Sequence, residues 1–387
     1  MRGVPMVRRV EAATPEGRDR GLDALRALAI CGVVLGHWLV TALVADSGTV
    51  RVTSPLRQLP QFVPVSWVFQ TLAVFFLVGG WVGARGLAAA RGRGETYGRW
   101  LRDRTARLFR PVAAVVTVWA VAAGAMLAWG AGLESVRALV KLVLSPMWFL
   151  VVFAVLTAAT PLARRLHPAM PVAVVACVDV ARFGLGGPQW LGWVNVVAGW
   201  LVPYCVGAAC AARGVPARAA GWGLFAGGAA VTAGLVAWGG YPAAMVGVPG
   251  ATVSNLDPPT LAAVSFGLAQ CGAALLLLGP LRRLMRRPVA WAGVALVNLS
   301  AMTVFLWHQT ALIAVTAVGM SAGGGLPGLH TVPADGGWVL ARLAWVPVFG
   351  LALLGCCAAF GAYERRAYGK RAHVAGPKRA QPSRHGS

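Results

Sequence analysis

The sequence has 387 residues, of which 58% are hydrophobic and only 12% are charged, whereas soluble domains carry about 25% charged residues. So few charged side chains cannot cover the surface of a soluble enzyme of this size, and the mean hydropathy of +0.67 agrees with this. The formal net charge of +23 would suggest nucleic-acid binding in a soluble chain. Here the basic residues border apolar segments and are not interleaved with base-stacking aromatic residues, which argues against nucleic acid. The composition predicts an all-α, polytopic membrane protein.

Ten apolar segments along the chain are candidates for membrane-spanning helices. They cover residues 23–45, 63–84, 111–131, 139–162, 169–183, 190–212, 220–240, 259–280, 289–319 and 338–362. The fifth segment is short and is interrupted near Pro171, whereas the ninth is long enough to be tilted or to begin at the membrane interface. We therefore expect about ten transmembrane helices at 23–362, after a basic segment at 1–22. A basic tail at 363–387 is expected to be disordered.

The Lys and Arg residues between these segments are distributed unevenly. If the N-terminus is cytoplasmic, 28 of the 35 basic side chains fall in cytoplasmic segments and six in external ones, while Arg26 lies within the first span. Cytoplasmic loops of membrane proteins carry an excess of Lys and Arg. The distribution therefore predicts an even number of spans with both termini in the cytoplasm.

The first apolar segment contains two ionisable residues, Arg26 and His37, which are eleven positions apart. At about 100° and about 1.5 Å per residue, both lie on nearly the same face of a helix, with His37 roughly 16 Å deeper. Ionisable groups inside a span are costly unless they are paired or face a wet cavity. A guanidinium at the cytoplasmic mouth suits a phosphate-bearing ligand, and a partly desolvated imidazole suits a general base. The alternatives are a helix-to-helix hydrogen bond for His37 and a snorkelling anchor for Arg26.

An arginine cluster follows the second span. Within it, Arg104, Arg107 and Arg110 recur at every third position, so neighbours share a face if the segment is helical. Such a cluster on the cytoplasmic side can hold an anionic cofactor such as the phosphates of CoA. Arginines also occur in such loops simply because they fix topology.

Other polar residues lie within or beside the apolar segments and are further candidates for lining a cavity. They are Asp23, Asp179, Asn195 and His308. For Asp179 we favour a structural ion pair with Arg182, three positions later. For His308 we favour a contact between helices over a place in the same cavity as His37. The cysteines lack the spacing of a metal site, so we predict no metal.

Several segments together resemble the acyltransferase 3 family, which are integral-membrane O-acyltransferases of bacteria. The segments that carry the resemblance are Leu22–His37, Phe75–Gly86, Arg104–Pro111, Met147–Leu150, Ser254–Thr260 and Thr303–His308. Arg26 and His37 match the family's R-x10-H motif, and Arg104 and Arg107 match its R-x-x-R motif. One departure is Gly79, which stands where many members have serine.

The resemblance implies a ten-helix fold in the bacterial plasma membrane. It also implies transfer of an acyl group, acetyl in the usual case, from acyl-CoA to a hydroxyl of a sugar or glycosylated acceptor. His37 would correspond to the essential histidine, and Arg26, Arg104 and Arg107 to the residues required for use of the donor. Acyl-CoA is then a substrate, and no permanently bound cofactor is expected. His37 could act as a general base or could itself be acylated transiently.

Two other classes of protein fit the membrane pattern. A secondary transporter of a glycoside or lipid precursor would also place polar residues near the middle of the membrane, although the sequence shows no convincing internal repeat. A membrane protein that only binds a partner is the third hypothesis, and the Arg26–His37 pair argues against it.

Overall fold

A computed structural model of the protein describes residues 4–46 and 48–369, with the backbone alone for residues 4, 5 and 362–369. The α-helices in these ranges are α1 Val4–Ala12, α2 Arg20–Val40, α3 Pro55–Gln58, α4 Val63–Ser66, α5 Leu72–Gly92, α6 Tyr97–Ala128, α7 Leu133–Leu144, α8 Trp148–Ala158, α9 Thr160–Ala163, α10 Ala169–Asp179, α11 Gly192–Arg213, α12 Arg218–Ala237, α13 Leu261–Leu284, α14 Pro288–Leu299, α15 Ala301–Ser321 and α16 Gly336–Gly369. Two strands, β1 Ala42–Asp46 and β2 Thr49–Thr53, form an antiparallel hairpin. Short 3₁₀ turns occupy Pro60–Phe62, Trp67–Phe69, Ser145–Met147 and Gln189–Leu191, and a π-helical turn occupies Val180–Gly184.

Nine helical segments in the described part of the chain are long and apolar enough to cross a membrane. They are Arg20–Val40, Pro60–Gly92, Tyr97–Ala128, Leu133–Ala158, Gln189–Arg213, Arg218–Ala237, Leu261–Leu284, Ala301–Ser321 and Gly336–Gly361. Each overlaps one of the predicted spans, so the prediction of an all-α, polytopic membrane protein is confirmed.

The remaining predicted span, at 169–183, forms a shorter element than the others. It consists of α10, with 11 residues, and the π-helical turn, with five. At about 1.5 Å per residue this length falls short of a bilayer core of about 30 Å.

The ninth predicted span, at 289–319, is divided into two helices. Ser300, with φ −103° and ψ 10°, leaves the helical conformation and separates α14 from α15. Only α15 of the two is long enough to cross a membrane.

The first predicted span, at 23–45, is wrong at its outer end. Helix α2 begins at Arg20 because the Asp19 side chain accepts hydrogen bonds from the N–H groups of Gly21 and Leu22. The helix ends at Val40, and residues 42–46 pair with 49–53 in the hairpin. Valine and threonine favour extended backbone, and Gly48, at φ +79°, makes the tight turn between the strands.

Helices α5 and α11 pack against each other through glycine. A Cβ atom on Gly80 would overlap the carbonyl of Tyr204, and one on Gly207 would overlap the carbonyl of Leu77. Small residues at such crossings let membrane helices approach closely. This close contact fixes the position of α5, which forms part of the cavity wall of the candidate site.

The predicted terminal segments are only partly covered by the described residues. In the segment at 1–22, residues 4–12 form α1. In the tail at 363–387, the backbone of α16 is helical as far as Gly369, and positions 370–387 lie outside the described residues.

Candidate functional site

Helices α2, α5, α6, α8 and α15 enclose a cavity with an empty volume of about 820 Å³, counting its open mouth. Two arginines, Arg26 and Arg104, are the charged residues of its wall. The apolar wall consists of Ile30, Val33, Leu72, Phe75, Val78, Gly79, Val82, Leu108, Phe149, Leu150, Phe153, Ala301, Met302 and Phe305. A concave, mostly apolar space with a few convergent polar groups is the usual form of a ligand site.

The cavity follows the face of α2 that carries Arg26. Ile30 and Val33 line it at helical spacing from Arg26, but His37, one turn further on the same face, is not part of the wall. Likewise Phe305 of α15 lines the cavity, whereas His308, one turn later, does not. The cavity therefore runs from the arginines toward the histidines and ends about one helical turn before them.

Arg26 and Arg104 reach the cavity from two different helices. The guanidinium of Arg104 lies over the ring of Trp100, with Cζ 5.4 Å from the ring centre, and a Cβ on Gly86 would lie 2.6 Å from its Nη1. Arg26 and Arg107 are near enough to act on Arg104 electrostatically. Within the described ranges, no acidic side chain forms an ion pair with Arg104. A guanidinium without a paired carboxylate suits an anionic ligand such as a phosphate.

Arg107, the other arginine of the predicted donor site, lies outside the cavity. Its side chain is exposed, and its Nε donates a hydrogen bond to the carbonyl of Asp103, at 3.0 Å. Helical spacing places Arg107 next to Arg104 along α6, so it can reach only a part of a ligand that extends beyond the cavity mouth.

His37 and His308 lie side by side where α2 meets α15. Their ring centres are 5.0 Å apart, with 43° between the ring planes. Nδ1 of His308 is 2.6 Å from the carbonyl oxygen of Phe305, and because a carbonyl only accepts, we assign the His308 proton to Nδ1. Trp38 ties the two helices together by donating from Nε1 to the carbonyl of His308, at 2.9 Å. The structure thus places the histidine predicted to contact another helix directly beside His37.

Gln309 is a polar residue of this region that the sequence analysis missed. It is 1% exposed, and its Oε1 and Nε2 have no hydrogen-bond partner among the described residues. The Nε2 atom of His308 is also buried and unpaired within the same ranges. Residues 305, 308 and 309 share one face of α15, so these unpaired groups lie next to the end of the cavity. A run of apolar residues around one glutamine was the available signal, because a buried amide needs partners.

Arg342 holds the C-terminal end of α2 in place. It is 1% exposed and donates to the carbonyls of Trp38, Gly328 and Thr41, the first two at 2.8 Å. Since α2 ends at Val40, two of these carbonyls belong to its last turn and its cap, which have no partner within the helix. From the sequence Arg342 is only one of the six basic residues predicted to be external, but in the structure it fixes the helix turn that carries His37.

Asp23, predicted as a possible cavity residue, lies in the first turn of α2. Its carboxylate forms an ion pair with Arg18, with Oδ2 2.6 Å from Nε. Its carbonyl accepts a hydrogen bond from Nδ2 of Asn298, at 2.8 Å. Both contacts join α2 to its surroundings, and Asp23 is not part of the cavity wall.

Asp179 and Asn195, the other two predicted cavity residues, belong to a separate polar network. Asp179 accepts hydrogen bonds from Asn195 Nδ2 (2.9 Å), the Tyr241 hydroxyl (3.0 Å) and the Leu261 N–H (2.7 Å). Burial, together with the neighbouring Asp179 carboxylate, raises the pKa of Tyr241 above its usual range, so the hydroxyl stays a donor. Arg182 lies 3.8 Å from the Asp179 carboxylate, as predicted from their spacing. The network fastens the loop before α13 to α10 and α11, and neither predicted residue lines the cavity.

Residues 19–361 match the protein family described as an acyltransferase domain, Acyl_transf_3. No curated protein and no solved structure matches the chain significantly. The match covers every helix that encloses the cavity, from α2 to α15, and all the residues discussed above except Arg18 lie within it. The chain therefore belongs to the acyltransferase 3 family of membrane acyltransferases.

Proposed function

We propose that this acyltransferase takes an acyl group, acetyl in the first place, from cytoplasmic acyl-CoA. It transfers the group to a hydroxyl of a sugar or glycosylated acceptor in the plasma membrane of a bacterium. The observation that carries the proposal is the cavity itself, which has Arg26 and Arg104 in its wall and follows one face of α2 toward His37.

The arginines suit the phosphates of CoA. Guanidinium groups bind phosphate oxygens through paired hydrogen bonds, and Arg104 has no carboxylate partner within the described ranges. Arg107 is exposed beside it and would contact a phosphate outside the cavity. The apolar walls beyond the arginines suit the uncharged arm that carries the thioester.

In this proposal His37 acts on the acceptor. Its imidazole would take the proton from the acceptor hydroxyl, and the hydroxyl oxygen would attack the carbonyl carbon of the thioester. The C–S bond then breaks, and the proton passes from the imidazolium to the departing CoA sulfur. A general base of this kind contributes about 10²- to 10⁴-fold in rate.

His308 and Gln309 would support this step from the neighbouring helix. The His308 ring lies against His37, and the Gln309 amide is buried without a partner in the described part of the chain. An amide N–H beside the reacting carbonyl would stabilise the negative charge that develops on its oxygen. Transient acylation of His37, followed by transfer to the hydroxyl, uses the same residues and is the other route.

The test is acyl transfer by the purified protein. Radiolabelled acetyl-CoA is mixed with a panel of sugars and glycosides, and label in the acceptor is measured for wild type, His37→Ala and Arg104→Gln. We expect His37→Ala to lower kcat by about 100-fold or more. Arg104→Gln should raise KM for acetyl-CoA by about 10- to 100-fold, the worth of a hydrogen bond to a charged group.

Arg110→Gln is the matched control, because Arg110 is exposed on the same helix and is not part of the cavity wall. Full activity of His37→Ala would show that His37 is not the general base. Equal KM values for Arg104→Gln and Arg110→Gln would show that Arg104 does not bind the donor. A secondary transporter would give no transfer to any acceptor and would accumulate labelled glycoside in proteoliposomes.

A further inference from the structure

Four phenylalanine rings form a continuous group in the cavity wall. Phe149 is central: its ring centre lies 4.9 Å from that of Phe75, 6.0 Å from that of Phe153 and 5.4 Å from that of Phe305. The Phe75 and Phe153 rings are 5.4 Å apart. These are the distances of packed aromatic pairs, so the rings support one another and present a single apolar surface to the cavity.

Phe305 lies both in the cavity wall and beside His308. Its ring lines the cavity and lies 6.0 Å from the His308 ring, which in turn lies 5.0 Å from His37. A thioester that reaches His37 from the arginines must therefore pass the aromatic group, and its acyl chain must fit against the rings.

Gly79 makes room for one of the rings. A Cβ atom on Gly79 would lie 2.5 Å from Cε2 and 3.2 Å from Cζ of Phe153, which is closer than real contacts allow. Both residues line the cavity. The position of the Phe153 ring therefore depends on the absence of a side chain at position 79, and the two residues together set the space left in the cavity.

We propose that Phe153, seated against Gly79 and packed on Phe75 and Phe149, limits the donors of this enzyme to short acyl groups. This inference rests on acyl-CoA being the donor. Apart from Arg26 and Arg104, the described residues of the wall have apolar side chains, so the wall distinguishes acyl chains by their size and not by hydrogen bonding. An apolar pocket distinguishes one methylene by about 10-fold or more.

Two substitutions change this space in opposite directions. Phe153→Ala removes a ring, and we expect octanoyl-CoA to bind about 10-fold more tightly relative to acetyl-CoA than it does to wild type. Gly79→Ala adds a methyl group and displaces the ring, so butyryl-CoA should bind about 10-fold more weakly relative to acetyl-CoA. The double variant should move back toward the wild-type profile, because Phe153→Ala removes the group that Gly79→Ala displaces.

The measurement is the rise in Tm of the purified protein with increasing free CoA, acetyl-CoA, butyryl-CoA and octanoyl-CoA, since a ligand that binds the folded state raises Tm according to its Kd. It requires no knowledge of the acceptor. Free CoA should bind all variants equally, because they leave the arginines unchanged. Phe225→Ala is the control, since its ring packs on Trp222 and is not part of the cavity wall.

The outcomes separate this inference from the proposed function. One outcome is that free CoA and acetyl-CoA stabilise wild type while neither single variant changes the relative binding of the longer acyl-CoA compounds. In that case the proposal that Phe153 limits acyl length is overturned, and the proposed donor site stands. If no CoA compound stabilises wild type, the acyl-CoA donor is wrong, and the inference is overturned with it. If Phe153→Ala does not fold, Phe153→Leu is used for the same comparison.

Discussion

Arg26, Ile30 and Val33 line the cavity of this acyltransferase, whereas His37, on the same face of α2, contacts His308 instead. Helical periodicity was enough to place Arg26 and His37 on one face. It could not show where that face borders open space, because this depends on residues of distant helices, such as Phe305, which lines the cavity and lies 6.0 Å from the His308 ring. The same limit applies to Asp179, whose partners come from three other parts of the chain.

Gln309→Leu should separate stability from activity. Burying an amide without partners costs about 1–3 kcal/mol, so the apolar substitution should leave the free energy of unfolding unchanged or raise it. If the substrate supplies the missing partner, acyl transfer should fall, as in other sites where activity is kept at the expense of stability. Thermal unfolding and transfer of labelled acetyl are measured on the same preparation.

Thr316→Val on the same helix is the comparison, because the Thr316 hydroxyl donates within the helix to the Leu312 carbonyl. We expect normal transfer in that variant. A large loss of stability in Gln309→Leu would mean that the amide has a structural partner, and would remove it from the site.

The ends of α2 are fixed by contacts that no local pattern predicts. Asp19 caps the N-terminal end and forms an ion pair with Arg282 of α13, 2.6 Å away. Arg342 of α16 holds the other end. An element whose two ends are both fastened in this way can keep Arg26 and His37 at a constant distance, as a transfer between two sites requires.

Arg342→Leu should be strongly destabilising. It would leave three buried carbonyls without their donor, and one unsatisfied buried group costs about 1–3 kcal/mol. We expect a loss of about 3 kcal/mol or more in the free energy of unfolding, measured with denaturant in detergent. Arg51→Leu, which breaks the exposed pair with Asp46, should cost no more than about 1 kcal/mol. Equal losses in the two variants would contradict the role of Arg342.

Asp19 should make stability depend on pH. Burial alone would raise the pKa of Asp19, but the hydrogen bonds from Arg282 and from the N–H groups of Leu22 and Gly21 outweigh burial and hold the pKa below its ordinary value. Because the pKa is lower in the folded state, this stabilisation is complete above the unfolded-state pKa of about 3.9. It is lost as the pH falls through the folded-state pKa.

The check is the Tm of wild type and Asp19→Asn between pH 7 and pH 3. Asparagine keeps the cap but loses the ion pair with Arg282, so wild type should be the more stable at pH 7 by up to about 1 kcal/mol, and the difference should shrink at the acid end. A difference that grows on acidification would show that folding does not lower the pKa of Asp19. Asp46→Asn is the exposed control.

The molecule as a whole combines nine helices of spanning length, in the described part of the chain, with basic residues on one side of the predicted arrangement. The positive-inside pattern predicts that both termini and the arginines of α6 face the cytoplasm. Nine crossings would leave the termini on opposite sides, so this prediction requires the shorter element formed by α10 and its π-helical turn to cross as well. This orientation is what would give the arginine end of the cavity access to CoA.

Cysteine labelling tests the orientation. Arg93→Cys lies between α5 and α6, and Val253→Cys lies between α12 and α13, at exposed positions. An impermeant maleimide applied to intact cells should label Val253→Cys alone and should label Arg93→Cys only after the membrane is opened. The reverse pattern would show that the protein has the opposite orientation in the membrane, with the arginines on the side away from cytoplasmic donors.

The sequence by itself determined the membrane class of the fold, nine of its spans and the shared face of Arg26 and His37, because hydropathy and helical period are properties of neighbouring residues. It also identified the family, which the match over residues 19–361 confirms. Only the tertiary structure decided that α2 stops at Val40, that Arg342 holds the turn of α2 that carries His37, and that phenylalanines from three helices line the cavity while His37 does not. These features are contacts between residues far apart in the chain, and such contacts leave no periodic signal along it.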